Sequence, residues 1–349
     1  MIEINPTHIP FPSIDQFHSL CRDVTRRHEF NQPTLLFQGT VKLHGTNAGV
    51  CFKKEAGPWL DMWFQSRNSI ITPESDNMGF ASWAGNPSLN DVWKEEFFKL
   101  VFTNSNLVSP NSGTFSIFGE WCGLGIQKNV AINQVPRMFV IFGACYTPDS
   151  LGILQESEED KELKKQWLDC SHLGNASYQI FNILDFPTYE ISIDFNNPKM
   201  SQPRLIELTN MVEAECPVAK RFGVSGVGEG IVWATPGSIY PYRFKVKGEK
   251  HSVTKVKTLA AVDVEKMESA QAFATATATI QRFDQALESL LSVPLEMKHI
   301  KDTLQWVIRD ILKEEGETLL ASGLTMRDVS KYISQIVKNQ FLREIHETA

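Results

Sequence analysis

One lysine, two acids and a further lysine pair are the residues of this 349-residue chain whose types and spacing could do covalent chemistry. Lys42 ends an apolar run and opens the cluster Lys-Leu-His-Gly-Thr-Asn. His44 and Asn47 add donors beside it, and Gly45, which has no Cβ, lets the backbone approach a bound molecule closely. To act as a nucleophile, the amine must shed a proton near neutral pH, whereas a free lysine titrates near ~10.4. Neighbouring cations and partial burial lower that value. Such cations occur in RFKVKGEK, where Lys245 and Lys247 are two apart on an expected strand and project from one face together with Arg243. Phe244 and Val246 face the other way, toward packing. A lysine row facing Lys42 could hold a nucleotide triphosphate and activate the amine at once.

Glu120 follows the apolar run FSIF and precedes a glycine-bounded turn, and Glu229 sits between glycines in GVGEGIVWA. A carboxylate beside buried strand residues is costly unless it is paired, hydrogen-bonded or metal-bound. Arg67 ends the run MWFQSR, where its guanidinium could fork onto a phosphate, and Phe142 in FVIFGAC could stack on a base. Each residue also has a plainer reading taken alone. Lys42 could be a solvated strand-end lysine, RFKVK an exposed edge strand, the acids loop residues and Phe142 core. It is the set that carries the chemistry.

The elements that must position this set are mostly short strands. LLFQGTVKL, GVCFKK, LDMWFQSR, TFSIFGEW, RMFVIFGACY, EGIVWAT and YRFKVKG are rich in β-branched and aromatic residues and are bounded by Gly, Asn or Pro. Helices are expected at 91–102, 156–169 and 204–215, which makes residues 1–255 an α+β domain around an antiparallel sheet. Residues 256–349 differ. ATATATIQRFDQALESLL, HIKDTLQWVIRDIL and RDVSKYISQIVKNQFLREI show helical apolar spacing, with breaks expected at Pro294, Gly316 and Gly323, and they form an all-α C-terminal domain.

Bulk properties narrow the function classes. A formal charge of -7 argues against a protein that coats nucleic acid non-specifically. Between Lys220 and Lys257, however, eight Lys or Arg residues face two acids, the signature of a focused anion site. Six scattered cysteines without metal-ligand spacing fit reduced thiols in the cytoplasm. Neither a signal-peptide pattern nor a membrane-length apolar run is seen, so no membrane partner is expected.

Taken in order, KLHGTN, SRN, FGEWCG, FVIFGACY, EGIVWA and FKVKGEK resemble the successive motifs of the covalent nucleotidyltransferases, the polynucleotide ligases and RNA capping enzymes. The match is closest to RNA ligases of the phage RNA ligase 2 type. His-Gly follows Lys-x here where DNA ligases and capping enzymes show Asp-Gly, and that subgroup carries a helical C-terminal domain in place of an OB-fold. The resemblance covers about residues 34–250.

It implies an antiparallel-sheet adenylation domain, with ATP and Mg²⁺ or Mn²⁺ as cofactors. Lys42 would attack the α-phosphate to give a lysyl-adenylate, Glu120 would bond the ribose and Phe142 would stack on adenine. Glu229 would be associated with the metal, Lys245 and Lys247 would contact the α-phosphate, and His44 would assist adenylation. Arg67 and Asn47 would contact phosphates or orient the reacting ends. Val41 stands where several relatives have a polar or acidic residue, which shifts adenine-edge reading to backbone groups near Leu43. The implied activity is a monomeric RNA ligase joining 3′-hydroxyl to 5′-phosphate ends, at nicks in duplex RNA, in RNA repair. The alternatives are a DNA ligase or capping-type nucleotidyltransferase, and a non-catalytic RNA-binding module.

Overall fold

The computed structural model describes residues 6–27, 33–54, 60–106, 113–148, 165–237, 242–248, 263–290 and 296–348. The chain divides into two compact units, Met1–Gly248 and Glu249–Ala349. Among the described residues, mixed α and β structure is confined to the first of them, and the second is helical.

Two sheets form the first unit. One has five strands in the order β1 (Asp15–Gln16), β12 (Arg243–Lys247), β11 (Gly230–Ala234), β2 (Thr34–Lys42) and β10 (Thr188–Asp194). Its pairings are antiparallel except for β1 with β12. The other runs β5 (Ile70–Ile71), β4 (Leu60–Ser66), β3 (Thr46–Lys54), β6 (Gly113–Cys122), β7 (Met138–Pro148) and β8 (Gln166–Leu168), with β9 (Ile180–Asn182) parallel to β7.

Alternation along the strands decides which side is core. In the first sheet Phe37, Val41, Ile231, Trp233 and Phe244 turn to one face and pack on Leu205, Leu208 and Val212 of the helix Gln202–Ala214. In the second, Val50, Phe52, Phe115 and Ile117 pack on Phe80, Trp93, Phe97 and Leu100 of the helices Phe80–Ala84 and Asn90–Thr103. Residues offset by one position along β2, β11 and β12 therefore point away from this core. That second face is the one that bears the lysines.

The structure differs from the expected elements at three places. Gln166–Leu168, at the end of the segment expected to be helical over 156–169, is a strand paired with Ala144–Tyr146 of β7. Residues 156–164 lie outside the described residues. ATATATIQRFDQALESLL is not one helix: Asp263–Thr277 and Ile280–Leu290 are separate. The Thr277 hydroxyl bonds back to Phe273 O, and the Arg282 guanidinium takes the Thr277 carbonyl, which ends the first helix. Gly316 lies inside the helix Ile300–Ala321 instead of ending it. A Cβ there would meet nothing, so only its modest propensity cost of about 1 kcal/mol opposes the helix. Gly323, with φ +68°, does follow the helix end, and Pro294 lies outside the described residues.

None of the six cysteines forms a disulfide. Among the described residues, no helix is long and apolar enough to cross a membrane.

Candidate active site

The pairing register places Lys42 opposite Gly230, and Gly230 opposite Lys247. The next row on that face is Thr40, Val232 and Lys245, and the row after is Gln38, Ala234 and Arg243. Gly230 has no side chain to stand between Lys42 and Lys247. It also could not carry one, because its φ is +153° and a Cβ would lie 2.2 Å from Val246 O. This conformation ends the alternation at Glu229, whose carboxylate lies among the cations. Lys42 Nζ is 2.8 Å from Oε2, His44 Nδ1 is 3.3 Å from the same oxygen, and Lys247 Nζ is 3.4 Å from Oε1.

Glu229 is 3% exposed, whereas Lys42 and Lys247 retain about a fifth of their exposure. Burial alone would raise the Glu229 carboxyl. Lys42, Lys247 and His44 outweigh that effect and hold it well below the usual carboxylate range. Oε2 is fully enclosed between Lys42 and His44. The arrangement is a buried anion that organises three cationic or ionisable side chains around the exposed end of β2.

Glu120 is brought to the same place by β6. It lies opposite Asn47 in the β3–β6 register, and its Oε1 accepts the Gly45 N–H at 2.8 Å. A Cβ on Gly45 would fall 2.3 Å from Trp121 O and 2.8 Å from Cys122 Cβ, so the His-Gly turn is pressed directly onto β6. Gln127, buried at φ +60°, holds the turn from the other side by donating its Nε2–H to Gly45 O at 3.2 Å. Burial pushes the Glu120 carboxyl up to about 7. Lys42 opposes this, Glu229 adds to it, and Gly45 and Arg67 pull the other way.

A consequence for stability follows. Between the ordinary value of 4.5 and about 7, the folded protein holds a proton at Glu120 that the unfolded chain has released. Stability at this group is expected to fall as pH rises through that window, because the folded state binds more protons there. Urea unfolding at a series of pH values should show this slope in the wild type and a smaller one in Glu120→Gln. Equal slopes would contradict the assignment.

The remaining residues singled out in the sequence are placed as follows. Lys245 is buried on the lysine-bearing face, with its charge acting on Asp15 of the adjacent strand β1. Val41 and Leu43 bury their side chains in the core, which leaves only main chain for contact with a ligand. Phe142 is half-buried, and its ring meets Phe11 edge to face at 5.0 Å. Arg67 is close enough for its charge to act on Glu120.

Some neighbours were not among the sequence candidates. Gln127 offers only a weak signal, a polar residue in the glycine-bounded stretch GLGIQKN. Trp167 and Phe11 offer none, because their role rests on contacts between segments far apart in the chain.

The family model for RNA ligases matches residues 36–257, a span that contains every one of the candidate residues. No curated protein matches the chain. Among solved structures, an RNA ligase mutant from Naegleria gruberi with ATP and Mn is 15% identical, with a TM-score of 0.41, covering 71% of this chain and 58% of that one. The Naegleria gruberi RNA ligase with PPi is 14% identical at a TM-score of 0.41, with the same coverage. Another mutant of that enzyme, with AMP and Mn, is 15% identical at a TM-score of 0.40. The chain thus spans less than two thirds of the length of these structures. Because the family match runs over well more than half of its residues, the chain belongs to the RNA ligase family.

Proposed function

We propose that this chain is an ATP-dependent RNA ligase that works through a lysyl-adenylate on Lys42 and joins 3′-hydroxyl to 5′-phosphate ends at nicks in duplex RNA. The observation that carries this reading is the cluster of Lys42, His44 and Lys247 on the buried Glu229, inside the span shared with the family.

In the first step the Lys42 ammonium releases a proton to solvent, its nitrogen attacks the α-phosphorus of ATP, the bond to the bridging oxygen breaks, and pyrophosphate leaves. Lys247 and Lys245, on the same face of the sheet, neutralise charge on the phosphorus oxygens as it develops. Glu229 keeps Lys42 and Lys247 side by side before nucleotide arrives. Glu120, whose Oε1 is occupied by Gly45, has its second oxygen for a ribose hydroxyl, and Phe142 offers a ring to the base.

In the second step an oxygen of an RNA 5′-phosphate attacks the adenylate phosphorus. The P–N bond breaks and the amine regains a proton. In the third, a 3′-hydroxyl attacks the activated 5′-phosphate and AMP leaves. Each step is an in-line displacement governed by positioning and charge neutralisation.

Among the described residues, no group of three or more His, Cys, Asp or Glu side chains could hold a metal ion. Magnesium is held in nucleotide sites by one or two carboxylates together with substrate phosphates. Glu229, a buried carboxylate that balances Lys42 and Lys247, would be that single carboxylate. When bound, the ion supplies further charge neutralisation on the triphosphate.

The substrate class is tested by a side-by-side sealing assay on nicked duplex RNA, single-stranded RNA and nicked DNA, with ATP and Mg²⁺. Sealing is expected at the RNA nick, with at least about tenfold less on the other two, a difference of some 1.4 kcal/mol in the barrier. Equal sealing of the DNA nick, or none of the RNA nick, would contradict the proposal.

A further inference from the structure

The segment from Thr7 to Gln16 ties the two sheets together. On the second sheet, Trp63 Nε1 donates to Thr7 O at 3.2 Å and His8 Nε2 to Ser66 O at 3.1 Å. Gln65, 1% exposed, holds Ile9 on both sides: its Oε1 accepts the Ile9 N–H at 3.0 Å and its Nε2 donates to Ile9 O. The buried Lys165 ammonium donates to Pro10 O at 2.7 Å. Asp15 and Gln16 then pair with Phe244 and Lys245 of β12, on the first sheet.

Phe11 lies where this segment passes from one sheet to the other. Its ring stands edge to face against Phe142 at 5.0 Å, Phe118 at 5.2 Å and Trp167 at 5.4 Å, all from the second sheet. From the first sheet, the Arg243 guanidinium lies 5.5 Å from the Phe11 ring and 3.8 Å over Trp167. Arg243 occupies the same face of β12 as Lys245 and Lys247.

We infer that Phe11 is a positioning residue for the nucleotide base. It fixes the ring of Phe142 against the second sheet and, through Arg243 and Trp167, sets the spacing between that ring and the lysine-bearing face. The inference rests on the ligase reading and deepens it. The observations favour a fixed wall over a displaceable plug, because the backbone on the approach to Phe11 is held at Thr7, Ile9 and Pro10 by the side chains of Trp63, Gln65 and Lys165, and the His8 ring is anchored on Ser66 O. Edge-to-face rings attract one another beyond the area they bury, so removing this ring loosens Phe142 without touching Lys42. The effect belongs in nucleotide binding and not in the chemical step.

The test compares wild type, Phe11→Ala, Phe11→Leu and Phe11→Tyr. KM for ATP in self-adenylation is expected to rise about tenfold or more in Phe11→Ala, a binding loss of about 1.4 kcal/mol. The rate at saturating ATP should change less than about twofold, and Phe11→Tyr should restore KM. Phe11→Leu keeps apolar volume for folding and should still show the raised KM. Sealing of pre-adenylated RNA, whose adenine enters the same site, should keep its maximal rate at saturating substrate in all variants.

An unchanged KM would overturn the inference, as would a parallel fall in the maximal rates of self-adenylation and pre-adenylated sealing. Equilibrium dialysis with labelled ATP reads the same binding without turnover. No adenylate from the wild type would contradict the ligase reading, whereas equal dialysis affinities in wild type and Phe11→Ala would contradict the role of Phe11 alone.

Discussion

Lys42→Ala and Lys42→Arg are both expected to abolish the covalent label that wild type acquires from α-labelled ATP. The two variants fail for different reasons. Alanine removes the nitrogen. Arginine keeps a cation near Glu229 but presents a guanidinium that does not give up its proton in proteins, so it cannot attack phosphorus. Neither change should unfold the protein, because Lys42 retains about a fifth of its exposure and Glu229 keeps Lys247 and His44 as neighbours. Melting temperatures within a few degrees of wild type, alongside label below about 1% of wild type, correspond to a barrier raised by about 2.7 kcal/mol or more. Label persisting in Lys42→Arg would show that the charge at this position matters and the nucleophile lies elsewhere.

Glu229→Gln is expected to lower the rate of label formation by about a hundredfold or more, the size of effect seen when one preorganised charge contact is removed from a reacting centre. The isosteric amide keeps the volume of the side chain but removes the anion that lies within 3.4 Å of Lys42, His44 and Lys247. The two lysines that shared a buried carboxylate are left to repel one another. Lys42 and Lys247 are then free to swing toward solvent, which relieves the repulsion and disperses the site. Folding should survive better than activity, because removing the charge also removes the burial cost that Glu229 itself carries. Stopped-time labelling over a range of ATP concentrations reads the rate, and circular dichroism reads the fold. A wild-type rate in Glu229→Gln would rule out the cluster as the organising feature.

Much of this site was legible because its parts are local and periodic. The two-residue spacing of Lys245 and Lys247 fixes their shared face whatever the rest of the chain does, and the register then sets Lys247 across Gly230 from Lys42. Glycines around Glu229 and after His44 signalled close backbone approach, which is what Gly230 and Gly45 provide.

Other parts depend on distant contacts and left no local trace. HIPFPSID has neither helical nor strand periodicity, so nothing in it announces that Phe11 packs among Phe118, Phe142 and Trp167. Trp167 itself lies near the end of the charged stretch ESEEDKELKKQWLD, whose composition favours a helix. Its strand conformation comes from pairing with Cys145 and packing beneath Phe11, which override the helical preference of the preceding residues. The split between Thr277 and Ile280 likewise depends on Arg282, whose guanidinium also lies 2.7 Å from Asp310 and draws on a helix some thirty residues away.

The central claim is that Lys42, and no neighbouring lysine, carries the adenylate. Wild-type protein incubated with ATP and Mg²⁺, digested and analysed by tandem mass spectrometry, should yield an AMP adduct confined to the peptide containing Lys42 and assigned to its side-chain nitrogen. An adduct on Lys245 or Lys247, or the absence of any adduct from protein that seals RNA, would contradict the account.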